Sequence, residues 1–288
     1  MLEDEAGDIL RKARLGQSMD RATVARQAGL SGEDLEAYEL LVRPVPPETA
    51  RVLAGVLGLD PDRLARIAAG AYAPKPQDET TPDAIVRCLV VSQENGWTSN
   101  CYLFGFKDTE EAVIVDPGAE PERILAELEA MKWRPRYAAI THGHRDHVGA
   151  LETLLDEWAL SVLASPADLE LIGLEPERIH FVFDGERFPL GRHCLQALTT
   201  PGHTLGGVSY LADHGCFVGD ALFAGSIGYP NVQDGGYRML RESLAAKILT
   251  LPPETRLYPG HGPSTTVAEE REANPFFSTS FIQSLNVP

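Results

Sequence analysis

The chain has 288 residues, of which 43% are hydrophobic and 23% are charged. A chain of this length and composition can bury one or two substantial cores, which excludes a disulfide-stapled mini-protein and a disordered tail. Its 42 acidic and 25 basic residues give a formal net charge of −17, so the chain as a whole repels nucleic-acid backbones.

The composition also indicates a cellular compartment. The N-terminal residues are acidic and lack the basic and apolar segments of a secretory signal, and no stretch approaches the roughly 18 apolar residues of a membrane span. The cysteines form no CxxC pair, which favours reduced thiols over a disulfide framework. We therefore expect a cytoplasmic protein without a membrane partner.

Residues 1–73 have a helical pattern. Gly29 is placed to end one helix and Ser31 to cap the next, in which Leu35 and Tyr38 share an apolar face. This short connection, with the small Ala25 before it, is the spacing of a helix-turn-helix, and two further helices are predicted to follow. With a first helix in the pattern that starts at Ile9, the five predicted helices resemble the helix-turn-helix bundle of Cro/C1-type repressors.

A proline-rich stretch, residues 74–83, is predicted to be a linker. Beyond it, over residues 84–288, short β-rich runs intermix with helical patterns, which indicates a layered α/β domain. The predicted strands cover residues 84–91, 100–106, 112–115, 137–142, 195–199, 208–211 and 216–219. The predicted helices cover residues 121–131 and 147–158.

The most informative motif is an HxHxDH sequence that contains His142, His144, Asp146 and His147. It lies between a predicted buried strand and a predicted helix, where a turn exposes several side chains at one point. Imidazoles and a carboxylate in this arrangement suit Zn²⁺ or Fe²⁺. The motif therefore predicts a metal site.

Three later residues, His203, Asp220 and His261, each follow a predicted strand. A glycine beside each of them lets the backbone turn sharply and approach a metal. Together with the motif upstream, this pattern indicates that they are metal ligands too. The other histidines lie outside these motifs and are predicted to be structural or surface groups: His180, His193 and His214.

These motifs resemble those of the metallo-β-lactamase superfamily, and within it the glyoxalase II-like, or hydroxyacylglutathione hydrolase-like, enzymes, over residues 84–277. The resemblance implies an αββα sandwich that holds two divalent metal ions, with zinc as the leading candidate and iron or manganese as alternatives. It assigns His142, His144 and His203 to the first metal and Asp146, His147 and His261 to the second. Asp220 would bridge them.

The same resemblance leaves two roles open for Asp116, which lies in a predicted turn. It either supports the metal site from behind the ligands or simply forms the turn. A further stretch, residues 226–231, contains no arginine, whereas many glyoxalase II-like and persulfide dioxygenase-like proteins carry an Arg-Thr-Asp segment there.

The leading functional hypothesis is a metallo-hydrolase of a thioester or another small ester. A pair of divalent metals supplies hydroxide near neutral pH, and this hydroxide would attack a substrate carbonyl, with Asp146 orienting it as the catalytic residue. An alternative is a mononuclear iron oxidoreductase similar to persulfide dioxygenases, in which His142, His203 and Asp220 would form the facial triad.

A third hypothesis is a DNA-binding regulator with a metal-containing sensor domain. The helix predicted to begin after Ser31 would be the recognition helix, and it is acidic. Residues 1–73 contain nine basic and twelve acidic residues, so DNA is not expected to be a partner. We expect the bundle to dimerise, to dock, or to lie over the entrance of the metal cleft. The basic residues of its first two helices keep the DNA-binding alternative open: Arg11, Lys12, Arg14, Arg21 and Arg26.

Overall fold

The computed structural model describes residues 1–75, 83–213, 215–233 and 235–285. Most of the predicted linker, and also His214, lie outside the described residues. Within residues 1–75, five helices precede the sheets, as the sequence predicts. They are α1 Ala6–Gly16, α2 Arg21–Ala28, α3 Gly32–Glu39, α4 Pro47–Leu57 and α5 Pro61–Ala68.

The predicted boundary between α2 and α3 is confirmed. Gly29 ends α2 in the left-handed conformation, with φ 69°, which costs glycine little. The Ser31 hydroxyl then caps α3 by accepting a hydrogen bond from the backbone N–H of Asp34 at 3.0 Å. Both signals are local in sequence, so the pattern alone could identify them.

The rest of the described chain forms two six-stranded sheets and several helices. The first sheet has the order β1-β2-β3-β4-β5-β6 and the second β14-β13-β10-β9-β8-β7, while β11 and β12 form a separate hairpin. The strands are β1 Ala84–Ser92, β2 Thr98–Phe106, β3 Glu111–Val115, β4 Arg134–Ala139, β5 Ser161–Ala164, β6 Ile179–Phe181, β7 Arg187–Leu190, β8 His193–Thr199, β9 Val208–Ala212, β10 Gly215–Gly219, β11 Leu222–Phe223, β12 Ser226–Ile227, β13 Arg256–Pro259 and β14 Thr265–Thr266.

The helices among these strands are α6 Pro121–Ala130, α7 Arg145–Val148, α8 Leu151–Glu157, α9 Leu169–Ile172, α10 Gly236–Ser243, α11 Val267–Ala273 and α12 Thr279–Ser284. A π-helical turn, Leu244–Ile248, continues α10. None of the helices in the described ranges is long and apolar enough to span a membrane.

The two sheets pack face to face around a core rich in aromatic side chains, among them Phe104, Tyr210 and Phe217. On the outer face of the first sheet, Ile124 and Leu128 of α6 pack with other buried residues in a second core. The outer face of the second sheet is covered by other helices. This layering confirms the predicted αββα sandwich.

The N-terminal helices share one continuous core with the outer side of the second sheet. Ile9 and Leu10 of α1 belong to the same buried cluster as Val218, Leu222 and Leu240. The backbone N–H at the start of α5 also donates to a carbonyl after α11, at 2.8 Å between Asp60 and Pro275. Separating the N-terminal helices from the second sheet would expose apolar side chains of both to water. The described helices and sheet therefore fold around one shared core.

The helix predicted over residues 147–158 is divided in two, with Gly149 and Ala150 between α7 and α8. A Cβ atom at Gly149, between α7 and α8, would lie 2.4 Å from the carbonyl oxygen of Gly118. The next residue, Ala150, donates its N–H to the carbonyl of Pro117 at 2.9 Å. The break therefore brings the turn that contains Asp116 close to the HxHxDH motif.

Candidate metal centre

The predicted site residues come together at one edge of the sandwich. Strands β8, β10 and β13 of the second sheet run in the same direction, so their carboxyl ends emerge at the same edge. His203, Asp220 and His261 follow these three strands, and the HxHxDH motif follows β4 of the first sheet. The strand directions thus explain how residues far apart in sequence become neighbours.

One histidine triad contains His142, His144 and His203. One ring nitrogen from each lies within 4.8 Å of the other two, a spacing compatible with a shared metal ion. His203 Nε2 lies 2.9 Å from His144 Nδ1. His142 is almost fully buried, whereas His144 and His203 are partly accessible to solvent.

A second triad contains Asp146, His147 and His261, whose ligand atoms also lie within 4.8 Å of one another. His261 Nε2 is 3.4 Å from both His147 Nε2 and Asp146 Oδ2. His147 Nε2 is 3.7 Å from Asp146 Oδ2. The six residues that the family resemblance assigns to the two metals therefore lie in two groups of neighbouring ligand atoms.

Asp220 lies between the triads. Its Oδ2 is 3.5 Å from His203 Nε2 and 4.0 Å from His142 Nε2 on one side, and 3.4 Å from His261 Nε2 on the other. Its Oδ1 is 3.5 Å from His147 Nε2. One carboxylate thus faces nitrogen atoms of both triads, which is the arrangement that a bridging ligand requires.

Each of four site histidines is oriented by a contact to the ring nitrogen that points away from the cluster. Because one nitrogen is engaged there, the other faces the site as a candidate ligand. The partners are Asp116 Oδ2 for His147 at 3.0 Å, the Tyr229 carbonyl for His203 at 2.7 Å, the Thr98 carbonyl for His261 at 2.8 Å and Thr141 Oγ1 for His142 at 3.1 Å.

The structure decides between the two roles left open for Asp116. Its Oδ1 accepts from the backbone N–H of Thr141 at 2.7 Å, and its Oδ2 accepts from Thr141 Oγ1 at 2.6 Å as well as contacting His147. The side chain is only 2% exposed. Asp116 therefore supports the cluster from behind. Sequence reasoning missed the carbonyls of Thr98 and Tyr229, since a backbone oxygen has no residue-type signal.

The electrostatics of the first triad favour neutral imidazoles. Burial lowers the pKa of His142 well below its ordinary value, and the neighbouring His147 lowers it further. Burial also lowers the pKa of His203 to about 4, although Asp220 opposes this. A neutral ring offers a lone pair, so both rings can coordinate a cation at neutral pH.

The pKa values of Asp220 and His261 are shifted so that both groups favour their charged forms. Burial alone would raise the pKa of Asp220, but His147 and His261 outweigh it and hold this pKa well below its usual range. Burial alone would lower the pKa of His261, whereas Asp220 and Asp146 raise it to about 11. A cation that binds His261 must therefore displace a proton, which makes its affinity depend on pH.

Two buried polar atoms test whether the cluster fits a metal. Neither His142 Nε2 nor Asp220 Oδ1 has a hydrogen-bond partner among the described residues. A buried polar atom without a partner costs about 1–3 kcal/mol. Both atoms point into the cluster and both are of a type that coordinates divalent cations, so a bound metal would satisfy them.

Gly260 shows why a small residue is needed beside this cluster. A Cβ atom there would lie 2.2 Å from Asp220 Oδ1 and 2.6 Å from His147 Cε1. Any larger side chain would push these two groups apart. Glycine at this position lets the backbone pass close to both groups.

The other described histidines lie outside the cluster. His180 is exposed and contacts Glu186 Oε1 at 2.9 Å. His193 stacks on the Phe106 ring, with 3.5 Å between ring centroids, and contacts Asp213 Oδ2 at 2.9 Å. These contacts fit the predicted structural and surface roles.

A cleft of about 580 Å³ adjoins the cluster at Asp146. It is also lined by Trp97, whose side chain is 70% exposed, and by Arg145, the residue between His144 and Asp146. Gln93 and Asn95, from the connection between β1 and β2, line the same cleft. An apolar ring, a cation and amide groups therefore lie within reach of a molecule bound beside Asp146.

Comparisons with known proteins agree with this geometry. The Metallo-beta-lactamase superfamily matches residues 95–261. Hydroxyacylglutathione hydrolase GloC of Haemophilus influenzae is 32% identical over 199 residues, which cover 62% of this chain and 93% of that protein.

Two solved structures have similar folds. ETHE1 from Myxococcus xanthus has a TM-score of 0.59 and 31% identity over 71% of this chain and 92% of its own. TTHA1623, in a di-iron-bound form, has a TM-score of 0.57 and 35% identity over 66% of this chain and 100% of its own. The family match begins after the five N-terminal helices and contains every residue of the cluster. The chain belongs to the metallo-beta-lactamase superfamily.

Proposed function

We propose that the chain is a dinuclear metallo-hydrolase that cleaves a thioester or another small ester. His142, His144 and His203 would hold one divalent ion, Asp146, His147 and His261 would hold the other, and Asp220 would bridge them. The observation that carries this proposal is the position of Asp220, whose two oxygens face nitrogens of both triads at 3.4–4.0 Å. Two neighbouring cations repel each other, and the Asp220 carboxylate between them would offset this repulsion.

When bound, a pair of divalent ions would make a water nucleophilic near neutral pH and would polarise a substrate carbonyl. Asp146 would orient that water. Its side chain is 22% exposed, compared with 9% for Asp220, and it also lines the cleft. Asp146 Oδ2 would accept the hydrogen bond from the water and direct its lone pair towards the carbonyl.

Three observations support a thioester or small ester as substrate. The relative GloC is named as a hydroxyacylglutathione hydrolase, which acts on a thioester. A thiolate leaving group with a pKa near 8.5 needs little help from an acid. The sequence contains no GxSxG motif, so a water-derived nucleophile is in keeping with its residues. The cleft residues Arg145 and Trp97 would contact the part of the substrate beyond the carbonyl.

Metal analysis followed by an activity panel tests this proposal. We expect about two divalent ions per chain, zinc foremost, and hydrolysis of glutathione thioesters and related acyl thioesters. Asp146→Asn should lower kcat by about 100-fold or more, because it removes the group that orients the nucleophile. His180→Ala, at an exposed histidine outside the cluster, is the matched control and should retain full activity. Absence of bound metal from the wild-type protein would refute the proposal.

The second candidate is the mononuclear iron oxidoreductase similar to persulfide dioxygenases, to which the likeness to ETHE1 from Myxococcus xanthus adds only limited support. His142, His203 and Asp220 would then form the triad, and the second set of ligands would remain unused. Oxygen uptake with glutathione persulfide separates the two candidates. An iron-only protein that consumes O₂ and does not hydrolyse thioesters would establish the second.

For the N-terminal helices we propose a role other than operator binding. Two of the basic residues that kept the DNA-binding hypothesis open, Arg14 and Arg21, pair with glutamates of α3. Arg14 Nη2 donates to Glu39 Oε2 at 2.8 Å, and Arg21 Nη1 and Nε pair with Glu36 and Glu39 at 2.6 and 3.1 Å. A guanidinium paired in this way has little capacity left for phosphate.

A further inference from the structure

Lys12 of α1 connects the N-terminal helices with the candidate metal centre. Its side chain is only 5% exposed, and its ammonium forms an ion pair with Asp4, whose side chain is 9% exposed. Lys12 Nζ also donates a hydrogen bond to the carbonyl of Ile227, at 2.8 Å. Ile227 ends the hairpin of β11 and β12, which begins two residues after Asp220.

On one side, this hairpin leads to the first triad. Gly228, which follows Ile227, packs so closely that a Cβ atom there would lie 1.6 Å from the Asp220 carbonyl and 3.4 Å from His203 Nδ1. The next residue, Tyr229, accepts a hydrogen bond from His203 Nδ1 at 2.7 Å. The carbonyl bonded to Lys12 is therefore two residues from the carbonyl that orients His203.

On the other side, Lys12 contacts a support of the second triad. Its Nζ lies 4.8 Å from the centroid of the Phe223 ring, within the range of a cation–π contact. The same ring packs edge-on against His261, with 5.8 Å between centroids and 89° between planes. A single buried ammonium thus contacts the Phe223 ring, which packs on His261, and the Ile227 carbonyl, which lies two residues before the carbonyl that contacts His203.

The N-terminal segment reinforces this contact. Besides pairing Lys12 with Asp4, it packs on the loop that carries His261. A Cβ atom at Gly262 would lie 3.0 Å from Cβ and 3.2 Å from the backbone nitrogen of Glu3. Removal of Lys12 would leave the buried Asp4 carboxylate and the Ile227 carbonyl without this partner, and each would tend to move towards solvent.

We propose that Lys12, held by Asp4, is a positioning residue for the metal centre. It fixes residues 222–229 and through them the orientation of the His203 and His261 rings. This inference rests on the proposed function, because it takes both histidines as metal ligands. It makes helix α1, which lies outside the family match at residues 95–261, a part of the active-site architecture.

Cobalt substitution tests the proposal, since the visible absorption of Co²⁺ reports ligand geometry independently of turnover. In Lys12→Met, we expect altered absorption bands and an affinity for Co²⁺ about tenfold or more below that of the wild type, as found when groups behind metal ligands are changed. Affinity is measured by competition with a chelator. Thermal unfolding of the same samples measures the general loss of stability.

Arg63→Met is the matched control. Arg63, on α5, also joins the N-terminal helices to the rest of the chain, because its Nη1 donates to the carbonyls of Asn274 and Phe277 at 3.0 and 2.7 Å. None of its contacts among the described residues involves the cluster. Arg63→Met should therefore lower the unfolding temperature and leave the cobalt spectrum and affinity unchanged.

The outcomes separate the inference from the proposed function. Wild-type protein that binds no Co²⁺ refutes the metal assignment and, with it, the role of Lys12. Normal binding by the wild type and an identical spectrum and affinity in Lys12→Met refute the positioning role alone. If Lys12→Met does not fold, Asp4→Asn replaces it, since it keeps the lysine and removes the charge that holds it. The same spectral change is expected, and a wild-type spectrum overturns the inference.

Discussion

Replacing Asp116 by asparagine would test how the cluster is oriented. The Oδ1 of Asp116 accepts from the Thr141 N–H, whereas Oδ2 faces both Thr141 Oγ1 and His147 Nδ1. An ionised carboxylate can only accept hydrogen bonds, so it places the His147 proton on Nδ1 and leaves Nε2 free for a metal. In Asp116→Asn, the amide oxygen can keep the bond to the Thr141 N–H, and the NH₂ group then faces His147.

That amide donates, so it favours the His147 tautomer with the proton on Nε2. This nitrogen is the one that lies 3.4 Å from His261 Nε2 and 3.5 Å from Asp220 Oδ1. A protonated nitrogen cannot coordinate, and metal binding must first reverse the tautomer. We expect a 10- to 100-fold lower affinity for one of the two ions, equivalent to about 1.4–2.7 kcal/mol.

The assay is a competition titration of the metal-free protein with Zn²⁺ and a chromogenic chelator, which resolves two binding steps. Glu39→Gln is the control, because Glu39 is also a buried carboxylate that accepts hydrogen bonds, but its described partners, Arg14 and Arg21, lie in the N-terminal helices outside the cluster. It should keep both affinities. Two wild-type binding steps in Asp116→Asn would refute the reasoning about the His147 tautomer.

Three further predictions follow from other parts of the structure. Asp220→Ala should lose both bound metal and activity, as measured by metal analysis after desalting, and two retained ions with near-normal turnover would disprove the bridging role. Burial raises the pKa of Glu270 to about 7, although Asn274 and Gly225 donate to it. The folded protein therefore binds this proton more tightly than the unfolded chain, and the contribution of Glu270 to stability is present below about pH 4.5 and lost as the pH rises through 7. Between pH 5 and pH 8, the free energy of unfolding of the wild type, measured with denaturant, should fall by about 3 kcal/mol relative to that of Glu270→Gln. The same pH dependence in both proteins would argue against a raised pKa of Glu270. Selection from random DNA duplexes at low salt should yield no consensus, and a sequence-specific site with strong salt dependence would restore the DNA-binding hypothesis.

The sequence alone determined the features that depend on neighbouring residues. Gly29 and Ser31 set a helix boundary through local conformation and capping, and the β-rich runs marked seven of the fourteen strands in the described ranges. The HxHxDH motif and the three ligand candidates after later strands could be recognised because each is a short run of distinctive residue types at the end of a strand. The directions of the strands then bring these ends to the same edge of the sandwich.

Only the tertiary structure decided how the cluster is supported. Thr98 and Tyr229 orient His261 and His203 through backbone carbonyls, which any residue type possesses. The role of Asp116 depended on the approach of its turn to His147, 31 residues later in the chain. Likewise, a lysine in a helical pattern predicts an exposed side chain, but Lys12 is buried against Ile227, 215 residues away. This burial follows from the core that the N-terminal helices share with the second sheet. Such contacts join residues with no local relation, because packing of the whole chain determines which apolar faces meet.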